Sequence, residues 1–226
     1  VDLAKAARDR IWASISDAEK SKRPYPLISG DVGPYAAYLA NGSEYTGDYG
    51  KISKEELKDF HRPRIAILID QGVDLLALET IPNALEAAAL VELLAEEFPQ
   101  VEAYISFTIQ ESSSISDGTS LEAMVELVDT SKQILALGIN CSSPLLFDAA
   151  LEKLASLTNK YLVTYPNSGE VYDGQTQTWR PKDVTAKDLV EHSQDWHEQF
   201  QVKILGGCCR TRPNDIKSLY QTFRDQ

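Results

Sequence analysis

Short apolar runs alternate with helical patterns along this chain, and the alternation persists to its end. The apolar runs are mostly continuous, which is typical of parallel strands that are covered on both faces. The pattern predicts six strands, at residues 26–32, 73–80, 101–109, 133–141, 160–167 and 202–208. A buried parallel sheet is therefore expected at the centre of the fold.

Helices are predicted between these strands, most of them opened by a recognisable start signal. Ser53 and Glu56 form a capping-box pattern, and Ser143-Pro144 places an N-cap before a proline at the first helical position. Further helix starts are expected at Asn83, at Thr119, at Thr185 with Asp188, and at Pro213, and residues 2–20 look helical with no strand before them. The acidic helices at 86–97 and 188–198 are expected to face solvent, and His192 and His197 lie on the second of them.

Alternating strands and helices imply an α/β fold with a parallel sheet. An open doubly wound sheet and a (β/α)8 TIM barrel both fit this order. No G-x-G-x-x-G follows a strand, which weakens the dinucleotide-binding alternative. A barrel needs eight strands and typically about 250 residues. We therefore predict a single barrel domain over residues 1–226, comprising strands three to eight, with the first two βα units missing from this chain.

Composition narrows the classes of partner. The formal net charge is −12 and no basic run stands out, so nucleic acid and anionic membranes are poor candidates. No apolar stretch approaches the length of a membrane span, and no signal peptide is recognisable, although the first residue is Val1 rather than methionine. The cysteine count is three, two of them adjacent, which favours reduced thiols in a cytoplasmic protein over a disulfide framework.

Polar residues collect at the predicted strand ends, where parallel α/β folds place their chemistry. The ends read Gly30-Asp31, Glu79-Thr80, Asn140-Cys141, Tyr165-Pro166-Asn167 and Cys208-Cys209. Two glycines precede the adjacent cysteines and let the backbone leave the strand, so that both thiols can reach one point. Three thiolates suit zinc and leave its fourth position open, as in catalytic sites. The alternative is that each cysteine is a small buried apolar residue.

Several motifs resemble the homocysteine S-methyltransferase family. They are GINC at 138–141, GGCC at 206–209, GPYAAYLANGSEYTGDYG at 33–50, LALETIPN at 76–83, SFTI and SDGT within 106–119, and YPNSGEVYD at 165–173. The resemblance covers essentially the whole chain and favours the branch that uses S-methylmethionine or S-adenosylmethionine rather than betaine. The Asp-Gly-Gly motif of the family's first strand and the Thr-rich motif of its second are not in this chain.

The resemblance implies a (β/α)8 barrel that transfers a methyl group from a sulfonium donor to the thiol of homocysteine, forming methionine. It implies Zn²⁺ held by Cys141, Cys208 and Cys209, and small molecules rather than macromolecules as partners. Glu79 would grip the ammonium group of homocysteine, with a charge at the start of the following helix as the alternative.

Four further residues are substrate-binding candidates with structural alternatives. Asn140 orients the substrate or satisfies backbone groups at its strand end. Asn167 and Ser168 line the pocket by resemblance or simply form a turn. Asp31 has the same ambiguity. The tyrosines of residues 33–50 either cover the donor site and exclude water or pack that segment down.

Two other functions compete with a zinc methyltransferase. A cysteine-nucleophile enzyme needs a histidine close to a cysteine, and His61, His192 and His197 all lie within predicted helices. A non-catalytic chain that holds zinc only structurally is the other alternative. Neither the preferred donor nor the oligomeric state can be predicted from the sequence.

Overall fold

A computed structural model describes residues 1–173, 178–180 and 187–224 of the protein. Its helices are α1 (Asp2–Ser14), α2 (Asp17–Lys20), α3 (Tyr35–Leu39), α4 (Ser43–Thr46), α5 (Lys54–Asp70), α6 (Ala84–Glu97), α7 (Leu121–Asp129), α8 (Phe147–Leu157), α9 (Leu189–Phe200) and α10 (Pro213–Phe223). Its strands are β1 (Ser29–Val32), β2 (Leu75–Ile81), β3 (Ala103–Phe107), β4 (Ile109–Glu111), β5 (Ser114–Ile115), β6 (Ile134–Asn140), β7 (Tyr161–Tyr165), β8 (Val171–Asp173), β9 (Thr178–Arg180) and β10 (Ile204–Leu205).

The predicted parallel sheet is confirmed. Six strands lie in the order β1-β2-β3-β6-β7-β10, and every neighbouring pair is parallel. Strands β1 and β10 are the two edges of this sheet within the described residues, so the six strands do not close into a barrel by themselves. Two short antiparallel pairs, β4-β5 and β8-β9, were not predicted.

The face of the sheet that the helices cover is largely buried, and the other face is buried at its centre by Ala136, Val163 and Tyr165 but exposed at Asp31 and Ile204 on the edge strands. Leu76, Leu78, Ile105, Leu137 and Ile139 have no solvent exposure and pack against the helices in one core cluster. Burying a side chain of this size contributes about 1.5–3 kcal/mol. Gly138 permits the closest approach, because a Cβ atom there would lie 1.7 Å from the carbonyl oxygen of Val163 on β7. These contacts fix the strand ends relative to one another.

The predicted helix starts are largely correct. Ser53 caps α5 with a full capping box, Asn83 caps α6, Asp188 caps α9, and Pro213 is the first residue of α10. The cap of α7 is Ser120 rather than Thr119. Pro144 opens a 3-10 turn that leads into α8 at Phe147. Thr185 lies outside the described residues.

Strand bounds differ from the prediction at the two sheet edges. Strand β1 begins only at Ser29, after Pro24 and Pro26, which carry no backbone N–H for a sheet ladder. Strand β10 is restricted to Ile204–Leu205, although the Gly206 and Cys208 N–H groups still donate to the carbonyl oxygens of Thr164 and Pro166 at 3.1 and 2.8 Å. The turn comes after both glycines, at Cys208, whose carbonyl oxygen accepts from the Thr211 N–H at 3.1 Å.

Two surface assignments were wrong. Glu86 was expected on a solvated helix face, but it is fully buried and contacts His61, with 2.8 Å between Nε2 and Oε1. His192 is buried on the inner face of α9, where its ring stacks on Trp196 with 5.0 Å between centroids. His192 lies one helical turn before the buried Trp196 and therefore shares its inward face.

Candidate metal centre and substrate site

The three cysteines meet at the carboxyl ends of the strands. Their Sγ atoms all lie within 4.8 Å of one another, although Cys141 is far in sequence from Cys208 and Cys209. The sulfurs of Cys141 and Cys209 are 3.5 Å apart, and all three thiols are free of disulfides. Among the described residues, these three thiols form the group of side chains that lie close enough together to hold a metal ion.

Backbone contacts around the end of β7 bring the cysteines together. The Cys141 N–H donates to the carbonyl oxygen of Tyr165 at 3.1 Å, and the Cys208 N–H donates to that of Pro166 at 2.8 Å. The segment that follows β7 is thus paired with both cysteine-bearing segments. Cys141 itself adopts a left-handed backbone, with φ of 49°, which turns its thiol out of the strand alternation.

The Gly206-Gly207 pair has a specific steric role. A Cβ atom at Gly207 would lie 2.5 Å from Oγ1 and 2.7 Å from Cβ of Thr211. The Thr211 hydroxyl donates to the Cys208 carbonyl at 2.7 Å, so it closes the turn that carries both thiols. A Cβ atom at Gly206 would meet Tyr165 Cβ only at 3.4 Å. Glycine is therefore required at 207 far more than at 206.

The thiols share negative charge unequally. Hydrogen bonds from Cys141 and Cys208 lower the pKa of Cys209. In contrast, the hydrogen bonds of Cys141 with Cys208 and Cys209, together with burial, raise the pKa of Cys141. Three neighbouring thiols can thus hold one thiolate easily, but three thiolates need a compensating cation.

The donor set fits a zinc ion. Zinc–sulfur bonds of about 2.3 Å in tetrahedral geometry place the sulfurs roughly 3.8 Å apart. The observed cluster, within 4.8 Å and with one pair at 3.5 Å, has this size. Three cysteine ligands would fill three of the four tetrahedral positions around zinc and leave the fourth for a substrate atom.

Glu79 lies at the end of β2 in a second polar cluster. Its Oε2 accepts a hydrogen bond from the Tyr165 hydroxyl at 2.9 Å, and that hydroxyl lies 2.7 Å from Ser106 Oγ. Burial and the neighbouring Asp31 carboxylate raise the pKa of Glu79 to about 7. The two carboxyl groups therefore form a site that would gain from a cation between them.

The remaining predicted residues are placed as follows. Asn140 is fully buried and bonds to Thr80, which follows Glu79. Asn167 Oδ1 accepts from the Cys209 N–H at 3.2 Å, and the Ser168 N–H donates to the Cys209 carbonyl at 3.0 Å. Asn167 and Ser168 are thus joined to the cysteine turn, and Asn140 joins Cys141 to the Glu79 end of β2.

A cavity of about 370 Å³ opens beside Cys141. Tyr45, Ile109, Ser143, Asn167 and Glu170 are among its lining residues. Burial, followed by the charge of Cys141 and Cys209, raises the pKa of Tyr45 well above its ordinary value, so its phenol stays protonated. Tyr45 lines this cavity, while Tyr35 and Tyr38 pack on Phe60, as expected if these tyrosines pack the segment down.

Sequence reasoning missed two supports of the site. Tyr165 was read only as part of a strand end, yet it links Glu79 to Ser106 and packs against Cys208. Buried Glu86 accepts from the Tyr35 N–H at 2.6 Å and from the Tyr49 hydroxyl, and so attaches residues 33–50 to α5 and α6. Tyr165 lies two residues after Val163 and so shares its face of the strand, which was a signal in the sequence that its side chain is buried. No local pattern indicated that Glu86 is buried.

Comparison with known proteins identifies the family. The sequence profile described as homocysteine S-methyltransferase matches residues 1–223. The chain belongs to the homocysteine S-methyltransferase family. This is a family of methyltransferase enzymes, and the resemblance carried by the cysteine motifs is thereby confirmed.

Individual relatives agree with this assignment. Homocysteine S-methyltransferase 1 of Arabidopsis thaliana is 44% identical over 225 residues, which are 99% of this chain and 69% of the relative. The homocysteine S-methyltransferase of Escherichia coli strain K12 is 45% identical over 219 residues, which are 97% of this chain and 68% of the relative. The crystal structure of the metallated form of the homocysteine methyltransferase MmuM from Escherichia coli matches with a TM-score of 0.83 and 42% identity, covering 98% of this chain and 68% of that one.

The histidines of this family member are engaged away from the thiols. His61 contacts Glu86, and His197 Nδ1 lies 2.9 Å from the Val202 carbonyl oxygen. The geometry therefore gives no support to a histidine-activated cysteine nucleophile. Within the part of the chain that the structure describes, no helix has both the length and the apolar character to cross a bilayer.

Proposed function

We propose that this protein transfers a methyl group from S-methylmethionine or S-adenosylmethionine to the thiol of homocysteine, forming methionine, and that it requires Zn²⁺. The observation that carries the proposal is the convergence of Cys141, Cys208 and Cys209, with all three sulfurs within 4.8 Å. The family assignment supplies the reaction class. Both substrates are small molecules, and neither nucleic acid nor a membrane is invoked.

Cys141, Cys208 and Cys209 would hold the zinc ion. When bound, zinc supplies acidity that keeps a substrate thiol as its thiolate, the nucleophilic form, at neutral pH. The cysteines contribute negative charge and soft donors, so the substrate sulfur would retain its nucleophilicity. Thiolate ligation requires reduced cysteines, which favours a reducing compartment such as the cytoplasm.

Glu79 and Asp31 would bind the ammonium group of homocysteine. Two adjacent carboxyl groups repel each other when both are ionised, and this repulsion contributes to the raised pKa of Glu79. An ammonium group between them removes that cost. The Tyr165 hydroxyl donates to the Glu79 carboxylate and would hold it in place, and Asn167 and Ser168 hydrogen-bond to the backbone of Cys209 in the cysteine turn.

In the methyl transfer, the acceptor sulfur forms a bond to the methyl carbon while the donor's carbon–sulfur bond breaks. The electron pair of that bond goes to the donor sulfur, which leaves as a neutral thioether. Positive charge thus disappears from the donor as the reaction proceeds. A site that excludes water disfavours the charged ground state more than the transition state. Tyr45, which lines the cavity beside Cys141, would contribute to this exclusion.

We also propose that the chain is a single barrel domain whose strands correspond to the third to eighth of a (β/α)8 barrel. The parallel order β1-β2-β3-β6-β7-β10 and the TM-score of 0.83 to the Escherichia coli enzyme support this. In such a barrel, two further strands would lie between β10 and β1.

The deciding experiment measures zinc per chain and turnover with each donor in parallel. The wild-type protein is expected to hold one zinc ion and to methylate homocysteine. The variant Cys208→Ala is expected to lose both the metal and turnover. Full turnover by a metal-free preparation would overturn the proposal.

A further inference from the structure

One carboxylate holds both ends of the segment that contains Tyr45. The Tyr35 N–H donates to Glu86 Oε1 at 2.6 Å, and the Tyr49 hydroxyl donates to Glu86 Oε2. Between these two ends, Tyr45 lines the cavity beside Cys141. Glu86 itself belongs to α6 and has no solvent exposure, so both hydrogen bonds are made to a buried group.

We infer that Glu86 is a positioning residue for the reaction, because its two hydrogen bonds keep residues 35–49 closed against the cavity with Tyr45 in the wall. The inference rests on the proposed function, in which this part of the molecule excludes water from the methyl transfer. Glu86 acts through the segment and not by contact with a substrate. Its effect is on the fraction of molecules in which the segment is closed.

The start of the segment depends on Glu86 because it has no cap of its own. Helix α3 follows Pro34, whose side chain makes no capping hydrogen bond. The first amide of this helix, that of Tyr35, therefore needs an acceptor from elsewhere in the molecule. Glu86 provides that acceptor from 51 positions away in the sequence.

The other end of the segment is held through a phenol. The Tyr49 ring packs edge-on against Tyr35, with 5.5 Å between ring centroids, so the two ends also contact each other. Burial, followed by the charge of Glu86, raises the pKa of Tyr49, and its hydroxyl therefore remains a donor to the carboxylate. Hydrogen bonds to a charged group are stronger than those between neutral groups.

The orientation of the carboxylate is fixed by a third donor. His61 on α5 is fully buried, and its Nε2 lies 2.8 Å from Glu86 Oε1. The other ring nitrogen of His61 is buried without a hydrogen-bond partner among the described residues. The Glu86 N–H in turn donates to Asn83 Oδ1 at 3.1 Å. Both α5 and α6 thus keep the carboxylate directed at the segment.

The middle of the segment is attached to the site by other side chains. Asn83 Nδ2 donates to the Gly47 carbonyl oxygen at 2.9 Å, and Gln110 Nε2 donates to that of Tyr45 at 2.7 Å. These contacts are made to the backbone and do not involve Glu86. Loosening one end should therefore make the segment open more often without unfolding the sheet beneath it.

The test loosens one end of the segment and leaves the buried carboxylate in place. Tyr49→Phe deletes only the hydroxyl that donates to Glu86 and keeps the aromatic ring. The matched control is Tyr38→Phe, which is the same change on the same segment. Tyr38 is 71% exposed and packs on Phe60 through its ring, which phenylalanine retains.

Three properties are measured for the wild type and both variants. Hydrogen exchange of the Tyr45 and Gly47 amides reports how often the segment opens, because both amides donate to carbonyl oxygens within it. Zinc content reports the state of the thiol cluster. Steady-state kinetics, with each substrate varied in turn, gives kcat and both KM values.

Tyr49→Phe is expected to speed exchange of both amides about tenfold or more, the effect of losing one hydrogen bond to a charged group. The KM of at least one substrate should rise, because only molecules with the segment closed bind productively. The kcat should stay near that of the wild type, because saturating substrate restores the closed segment. Zinc content should not change, and Tyr38→Phe should match the wild type in every measurement.

A purely structural role of the Tyr49 hydroxyl predicts a different result. It would lower kcat through loss of folded protein and leave both KM values unchanged, and that outcome would overturn the inference. Unchanged exchange in Tyr49→Phe, or faster exchange with unchanged kinetics, would overturn it as well. Failure of the proposed function is distinguishable, since the zinc-loaded wild-type protein would then turn over neither sulfonium donor.

Discussion

Asn140 and Thr80 pair through both groups of the asparagine side chain. Asn140 Oδ1 accepts from the Thr80 N–H at 2.9 Å, and Asn140 Nδ2 donates to the Thr80 hydroxyl at 2.8 Å. Thr80 has a positive φ of 64°, unusual for a β-branched residue, in the irregular part of β2 between Leu78 and Ile81. Because Glu79 precedes Thr80 and Cys141 follows Asn140, this pair joins the carboxylate site to the thiol cluster.

Asn140→Leu should lower the free energy of unfolding by about 1–3 kcal/mol, because it leaves the Thr80 N–H without its partner. Chemical denaturation measures the change. Asn159→Leu, at an exposed position on the loop before β7, is the control and should stay within about 0.5 kcal/mol of wild type. Equal stability of the two variants would show that the pair does not hold Thr80 in its conformation.

Glu79 should make stability depend on pH in the substrate-free protein. Burial and Asp31 raise its pKa from 4.5 to about 7, so the folded protein holds this proton more tightly than the unfolded chain does. The resulting stabilisation is fully present below about pH 4.5 and is lost as the pH rises through about 7. Glu79→Gln should therefore gain stability relative to wild type over this range.

Denaturant unfolding of wild type and Glu79→Gln at a series of pH values between 4 and 8 measures this difference. Glu152→Gln is the control, since Glu152 is exposed on α8. Parallel stability curves for wild type and Glu79→Gln would mean that the carboxyl cluster does not carry the dependence.

Gly207→Ala should weaken zinc binding by about 10–100-fold, the usual effect of disturbing a metal site's supporting contacts. The new Cβ atom would lie within 2.7 Å of Thr211 and force open the turn that carries Cys208 and Cys209. Competition with a chromogenic chelator measures the affinity. Gly206→Ala is the matched control, with its nearest contact at 3.4 Å. The steric argument is wrong if both variants bind zinc equally well.

Glu86→Ala should destabilise the fold by about 3–5 kcal/mol, because it removes one partner of a buried ionisable pair. His61, the Tyr35 N–H and the Tyr49 hydroxyl would all lose their common acceptor. Thermal and chemical unfolding measure the loss. Glu126→Ala on the exposed face of α7 should have little effect, and a comparable loss there would contradict the assigned role of Glu86.

Local signals in the sequence predicted much of the secondary structure. Ser53 and Glu56, Asn83, Asp188 and Pro213 start helices as expected, because a cap is a contact between residues three or four positions apart. The continuous apolar strands predicted a buried parallel sheet for the same local reason. Thr119 was off by one residue, since Ser120 beside it is an equally good cap.

The cysteine cluster was also predicted, although its members are distant in the chain. Strand ends in a parallel sheet share one edge, so three cysteines at two strand ends were expected to approach one another. The structure brings their sulfurs within 4.8 Å. The polar groups around the cluster could not be predicted in the same way. They depend on contacts such as the one between Glu79 and Tyr165, which are 86 positions apart and share no local pattern.

The sequence by itself determined the order of the six parallel strands and of the longer helices between them, the parallel character of the sheet, and the place of the three thiols at its carboxyl edge, because periodicity, capping and strand ends depend on neighbouring residues. Only the tertiary structure decided that Glu86 is buried, that Asn140 holds Thr80 in a left-handed conformation, and that a cavity separate from Glu79 opens beside Cys141. These features arise from contacts between elements remote in the chain, whose geometry exists only once the sheet has brought them together.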